Sequence, residues 1–147
     1  MEKFKVEHFE KAHPGEKFPW YETLSDSELL KVREVLTEKL SLDKSCDPIH
    51  LVQCVSSIGI VLENVNALNC SISLTQIFHS EGIRTNETVL VNWYQFDDID
   101  RIRIKDFDKY FNDLWYPSAD DIEIFDNTLS WMLSISHSGV VKLIRSM

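Results

Sequence analysis

A chain of 147 residues, 44% hydrophobic and 11% aromatic, carries enough apolar matter for one folded core and too much for a disordered chain. Twenty-four acids against fifteen bases leave a formal charge of -9, which repels nucleic-acid phosphates and anionic lipid and excludes both as natural partners. Four glycines and four prolines exclude collagen-like or linker-like composition, so one globular domain over 1–147 is expected.

Residues 1–22 mix Lys and Glu with His13-Pro14-Gly15 and Pro19, which reads as an irregular or partly helical lead-in pinned by Phe18 and Trp20. Ser25-Asp-Ser-Glu28 has the capping-box form, and Leu29, Val32, Leu36 and Leu40 recur on one face, so a helix is expected to about Leu40. Asp47-Pro48 starts a second helix to about Ile58. From Gly59 to Phe78 the pattern is ambiguous: Val61, Leu62, Val65 and Leu68 fit a helix, while Ile72, Leu74 and Ile77 fit neither period cleanly. Glu87 to Tyr94 is β-branched and aromatic, hence a strand, and Ile102 and Ile104 alternate with Arg101, Arg103 and Lys105 as in a short second one. Asp106 caps a predicted helix in which Phe107, Tyr110, Phe111, Leu114 and Trp115 form one stripe, ended by Pro117. Asp121–Phe125, Leu129–His137 and Val140–Ile144 close the chain as an antiparallel meander turning at Ser138-Gly139. The expected class is α+β, with N-terminal helices packed on a mostly antiparallel C-terminal β-sheet.

The first residues lack the apolar core of a secretory signal, and no run is long enough to span a bilayer. Cys46, Cys54 and Cys70 are odd in number and show no paired metal spacing, which points to reduced thiols in a cytoplasm. The glycines are too dispersed for a phosphate-cradling loop, and Asp120, Asp121, Glu123 and Asp126 lack the spacing of a calcium loop, so neither cofactor nor metal is expected. His50 and Cys54 share a helix face but read as core packing. His137, Ser138 and Asp126 offer triad residue types without a nucleophile elbow, so the chain is not expected to be an enzyme.

Charge is placed unevenly. Between Asp97 and Asp126 stand ten acids and four bases, six of the nine excess negative charges. One reading is an acidic face of Asp97, Asp98, Asp100, Asp120, Asp121 and Glu123, interleaved with Trp115 and Tyr116, that meets a basic protein through charge and aromatic anchors. The other is a solvated face with helix caps.

Tyr110-Phe-Asn-Asp-Leu-Trp-Tyr-Pro-Ser-Ala-Asp-Asp-Ile-Glu-Ile-Phe-Asp126, Leu129-Ser-Trp131 and His137-Ser-Gly139 resemble small bacterial immunity-type proteins of polymorphic toxin and contact-dependent growth inhibition systems, over about 87–145. The resemblance implies a protein that holds a cognate toxin domain, often a nuclease, inactive inside the cell that makes it. A regulatory or adaptor protein with a non-toxin partner is the alternative, and an enzyme using a carboxylate or His137 in a cleft a further one. Oligomeric state is not readable from the sequence.

Overall fold

The computed structural model describes residues 1–43 and 45–145. The elements are α1 (Lys3–Ala12), β1 (Tyr21–Thr23), α2 (Asp26–Lys39), α3 (Pro48–Ile58), β2 (Ile60–Asn66), α4 (Leu74–Ser80), β3 (Thr88–Tyr94), β4 (Asp98–Arg103), α5 (Ile104–Lys109), α6 (Phe111–Leu114), β5 (Ile122–Phe125), β6 (Trp131–Ile135) and β7 (Val140–Arg145). The fold is α+β, with N-terminal helices and a C-terminal antiparallel sheet, in the expected class. Seven strands run in the order β1-β4-β3-β5-β6-β7-β2.

Both faces of the sheet are covered, which is why its central strands are nearly continuous apolar runs. Val91, Ile102, Ile124, Leu133 and Val141 point to one face and meet Leu74 and Phe78 of α4, Phe107 of α5 and Phe111 and Leu114 of α6. Their alternating neighbours Leu90, Phe125, Met132 and Ile144 point to the other and meet Leu36 of α2 and Leu51 and Val55 of α3. No described helix is long and apolar enough to cross a membrane.

Two of the three predicted caps form; Asp106 instead lies inside α5, which starts at Ile104, so Ile104 and Lys105 belong to that helix and not to the expected strand. Glu28 accepts from the Ser25 backbone N–H at 2.9 Å and from its hydroxyl at 2.7 Å, and Asp47 accepts from the Ile49 N–H at 2.8 Å. The aromatic stripe is broken rather than continuous. At Tyr110 (φ -110°, ψ 21°) the helix ends and α6 begins. The break lets Phe107, Phe111, Leu114 and Trp115 all enter the core, while Tyr110 packs edge-on against Phe9 of α1, with centroids 4.9 Å apart.

Three elements depart from expectation. The lead-in is a full helix, α1, whose inward positions are Phe9 and Lys5, four residues apart and both 0% exposed. A lysine at a core position hides the amphipathic pattern. β1 is a three-residue strand at the sheet edge, paired through Glu22↔Arg101. The segment 59–80 divides into β2 and α4, so Val61, Leu62 and Val65, whose spacing fits a helix, lie in a strand. As an edge strand β2 is half-wet on both sides, so it shows no alternation to read. Gly59 enters it because a Cβ there would lie 2.8 Å from the Lys142 Cβ.

Candidate partner-binding site

The eight residues expected to form one acidic face fall into three groups on two sides of the sheet. At the β3–β4 hairpin, Asp97 is half-exposed and lies 3.8 Å from Arg33. Asp98 lies 3.2 Å and Asp100 2.8 Å from the α-amino group of Met1. Asp100 is 0% exposed and also accepts from the Thr23 hydroxyl (2.6 Å) and the Trp93 indole N–H (2.8 Å). It is a core carboxylate, paired across the sheet with Val91.

The second group surrounds Lys5. Its buried ammonium donates to the Leu114 carbonyl (2.7 Å) and to the Asp120 carboxylate, over the faces of Trp93 (4.8 Å) and Tyr116 (4.6 Å). Asp120 Oδ2 also accepts from the Tyr116 N–H at 2.8 Å. Trp115 is buried, stacked on Phe111 at 5.5 Å, and its indole N–H donates to the Asp120 carbonyl at 3.0 Å. The half-buried Tyr116 closes over Lys5 from outside. Asp98, Asp100 and Asp120 therefore face the Met1 amine and Lys5, while Asp97 stays half-exposed beside Arg33. Asp100 and Trp115 are inaccessible, which corrects their expected place on a contact surface.

Other acids of the run are similarly occupied. Asp108 accepts from the Leu74 N–H (2.5 Å) and the Ser73 hydroxyl (3.1 Å) at the start of α4. Asp126 accepts from the Ser130 N–H (3.0 Å) and the Thr128 hydroxyl (2.5 Å), ordering the β5–β6 turn. Among the described residues no group of three or more His, Cys, Asp or Glu is placed to hold a metal ion.

The third group lies on the opposite face, beyond the cover of α3. Asn92, Glu123, Ser134, Lys142 and Val61 are successive cross-strand partners on β3, β5, β6, β7 and β2, so one row of an otherwise apolar face is polar. With Val52 and Ser56 of α3 and with Asp121, Ser136 and Val140 this row encloses a cavity of about 360 Å³. Glu123 is 3% exposed, its Oε2 accepting from the Asn92 amide at 2.6 Å. Burial pushes its carboxyl up to about 7, against the Asn92 hydrogen bond and with help from the Asp121 charge. Lys142 does not neutralise it. Its ammonium donates at 2.8 Å to the Ser56 carbonyl, in the last turn of α3 where a cation is favoured.

Asp121, 60% exposed, stands at the mouth. It accepts from the His137 N–H at 2.7 Å and lies 2.9 Å from its Nδ1, tying the β6–β7 turn to the loop before β5. That turn requires Gly139, at φ +85°, where a Cβ would lie 2.4 Å from the Asn66 side chain. Ser138 bonds the Ser136 hydroxyl at 2.9 Å. His50 and Cys54, read as core, instead lie 3.6 Å apart on the outer side of α3, and all three cysteines are free thiols. Sequence reasoning missed Lys5, Asn92, Ser134 and Lys142. For Asn92 and Ser134 a signal was present, a lone polar residue inside Val-Leu-Val-Asn-Trp and Trp-Met-Leu-Ser-Ile.

The cavity adjoins the end of the sheet. β2 pairs only with β7, and Ile60 (75%), Val61 (47%), Leu68 (55%) and Val140 (38%) are exposed along that edge. Compared with protein-family models, curated proteins and solved structures, the chain matches none.

Proposed function

We propose that this chain is an immunity-type protein that binds a basic toxin domain, in kind a nuclease, and occludes its working surface. The observation that carries the reading is the juxtaposition at one end of the sheet. An apolar edge strand, its pairing shifted in register between Val61 and Asn66, lies beside a cavity with Asp121 at its mouth and the buried Glu123 on its floor. An exposed edge offers unpaired backbone groups to another chain, and proteins not meant to pair there blunt such edges with charge or proline. β2 has one acid, Glu63, and no lysine, arginine or proline. The net charge of -9 favours encounter with a cationic partner, and carboxylates at the contact pair the lysines and arginines with which a nuclease grips phosphates.

The expected contact moves accordingly. Asp121 and Glu123 stay in it, Asp97 lies elsewhere on the surface, and Asp98, Asp100, Trp115, Tyr116 and Asp120 serve the fold. The test is co-expression in bacteria with the toxin-like C-terminal region of the adjacent reading frame, scoring growth and co-purification. Rescue by the chain and loss of rescue in an Ile60→Lys, Val61→Lys double variant that unfolds at an unchanged temperature support the reading. Growth arrest despite abundant soluble protein refutes it for that pair. Binding to a host protein in place of the toxin marks an adaptor.

A further inference from the structure

The cavity between α3 and the open sheet face contains a carboxyl group that the fold desolvates without neutralising. Among the described residues the other deeply buried charges have opposite partners: Asp100 has the Met1 amine, and Lys5 has Asp120. Glu123 has only one neutral amide. Directly across the strand pair, the Ser134 hydroxyl has no hydrogen-bond partner among the described residues and borders the same space. Val52 and Val140 form the walls, and Asp121 marks the entrance.

We propose that this cavity is a receptor for the cationic end of a lysine or arginine side chain, with Glu123 as the ionic partner at its floor and Ser134 as a second acceptor. The aliphatic stem of such a side chain packs between Val52 and Val140 while its head reaches the carboxylate, the division of labour that long basic side chains favour. An anion is disfavoured, because both carboxylates face it and the Lys142 ammonium is held on the Ser56 carbonyl. A hard metal ion would need several converging oxygens, and among the described residues no such set exists. The inference deepens the proposed function by naming the chemistry of the partner's inserted group, and rests on that reading only for the source of the side chain.

Binding must ionise Glu123. With its carboxyl near 7, entry of a cation at pH 7 expels about half a proton. Affinity therefore rises about tenfold from pH 6 to pH 8. The charged or titratable groups facing Glu123 are Asp121 in the loop before its strand, Lys142 on β7 and His137 behind Asp121, whereas β3, β6 with the turn after it, and α3 present Asn92, Ser134, Ser136, Val52 and Ser56, which carry no charge.

The full chain, labelled with ¹⁵N, is titrated with n-butylguanidinium and n-butylammonium chloride, and with n-butanol as neutral control. Saturable shifts at the amides of Glu123, Ser134 and Val140 for the cations alone, stronger at pH 8, support the proposal. The preferred cation tells arginine from lysine. Glu123→Gln, which keeps the shape, lowers the affinity at least tenfold, and Ser134→Ala, which leaves the ion pair, lowers it several-fold. Equal shifts with butanol, unchanged binding in Glu123→Gln, or no saturable shift up to the solubility of the probes overturns it. Rescue of growth without probe binding refutes this inference and leaves the immunity reading standing. Probe binding without rescue does the reverse.

Discussion

Replacing Asp120 by alanine tests the assignment of an acidic surface residue to the interior. Lys5 is 0% exposed, and without the carboxylate its ammonium keeps the Leu114 carbonyl at 2.7 Å, the flanking rings and the more distant Glu2 at 3.9 Å. Stranding one member of a buried pair costs about 3–5 kcal/mol. The orphaned Tyr116 N–H adds to that, and the aromatic faces over the ammonium return part of it. Against a total stability of about 5–15 kcal/mol such a loss is large. In urea unfolding followed by tryptophan fluorescence, a slope near 2 kcal/mol/M turns it into a midpoint lower by roughly 2 M. The double variant Lys5→Met, Asp120→Ala removes both charges and recovers most of the loss, since an apolar side chain of similar length fills the site. A single-variant cost below about 1 kcal/mol, or a double variant no better than the single, refutes the assignment. The first result would mean that Glu2, 3.9 Å from the ammonium, takes over the charge.

Three further outcomes follow from the structure. Glu123→Gln has a pH-dependent effect: because the folded carboxyl is raised from 4.5 to about 7, its contribution is full below pH 4.5 and lost as pH rises to 7. The variant is therefore more stable than the parent by up to about 3 kcal/mol at pH 8 and about equal at pH 4.5, read as the difference between two urea-denaturation series. At the β3–β4 hairpin Gln95 (φ +48°) and Phe96 (φ +58°) are both left-handed, so Gln95→Gly stabilises by about 1 kcal/mol, a rise of about 2–4 °C in calorimetry. Exposed Cys70 reacts first with iodoacetamide at neutral pH, while burial pushes the Cys46 thiol up and slows it; peptide mapping after partial alkylation orders the two.

Elements whose inward residues are mostly apolar were legible. Leu36, Leu51 and Val55, and the strands β3, β5, β6 and β7, announced themselves by period and by caps. What escaped depended on residues distant in sequence. α1 was obscured because its inward lysine is compensated by Asp120, 115 positions away. The charge run was correctly located, yet its meaning lay in which acids meet Met1, Lys5 and the start of α4, which no spacing encodes. Asp121 and Glu123 both border one cavity, though Asp121 lies just before β5 and not on the expected strand face, and the cavity itself is made with α3 by tertiary packing.

The span between Lys5 and Asp120 also orders events during synthesis. α1 is translated early, and its counter-charges follow more than ninety residues later. At ordinary elongation rates of about 5–20 residues per second the helix waits roughly 6–20 s for Asp120. Ten residues are too few to hold a helix alone in water. The stability of α1 therefore comes from docking on the sheet and from its distant counter-charges. Until it docks, Asp98, Asp100 and Asp120 stand open, and any basic chain nearby competes with the molecule's own amino-terminal helix for them.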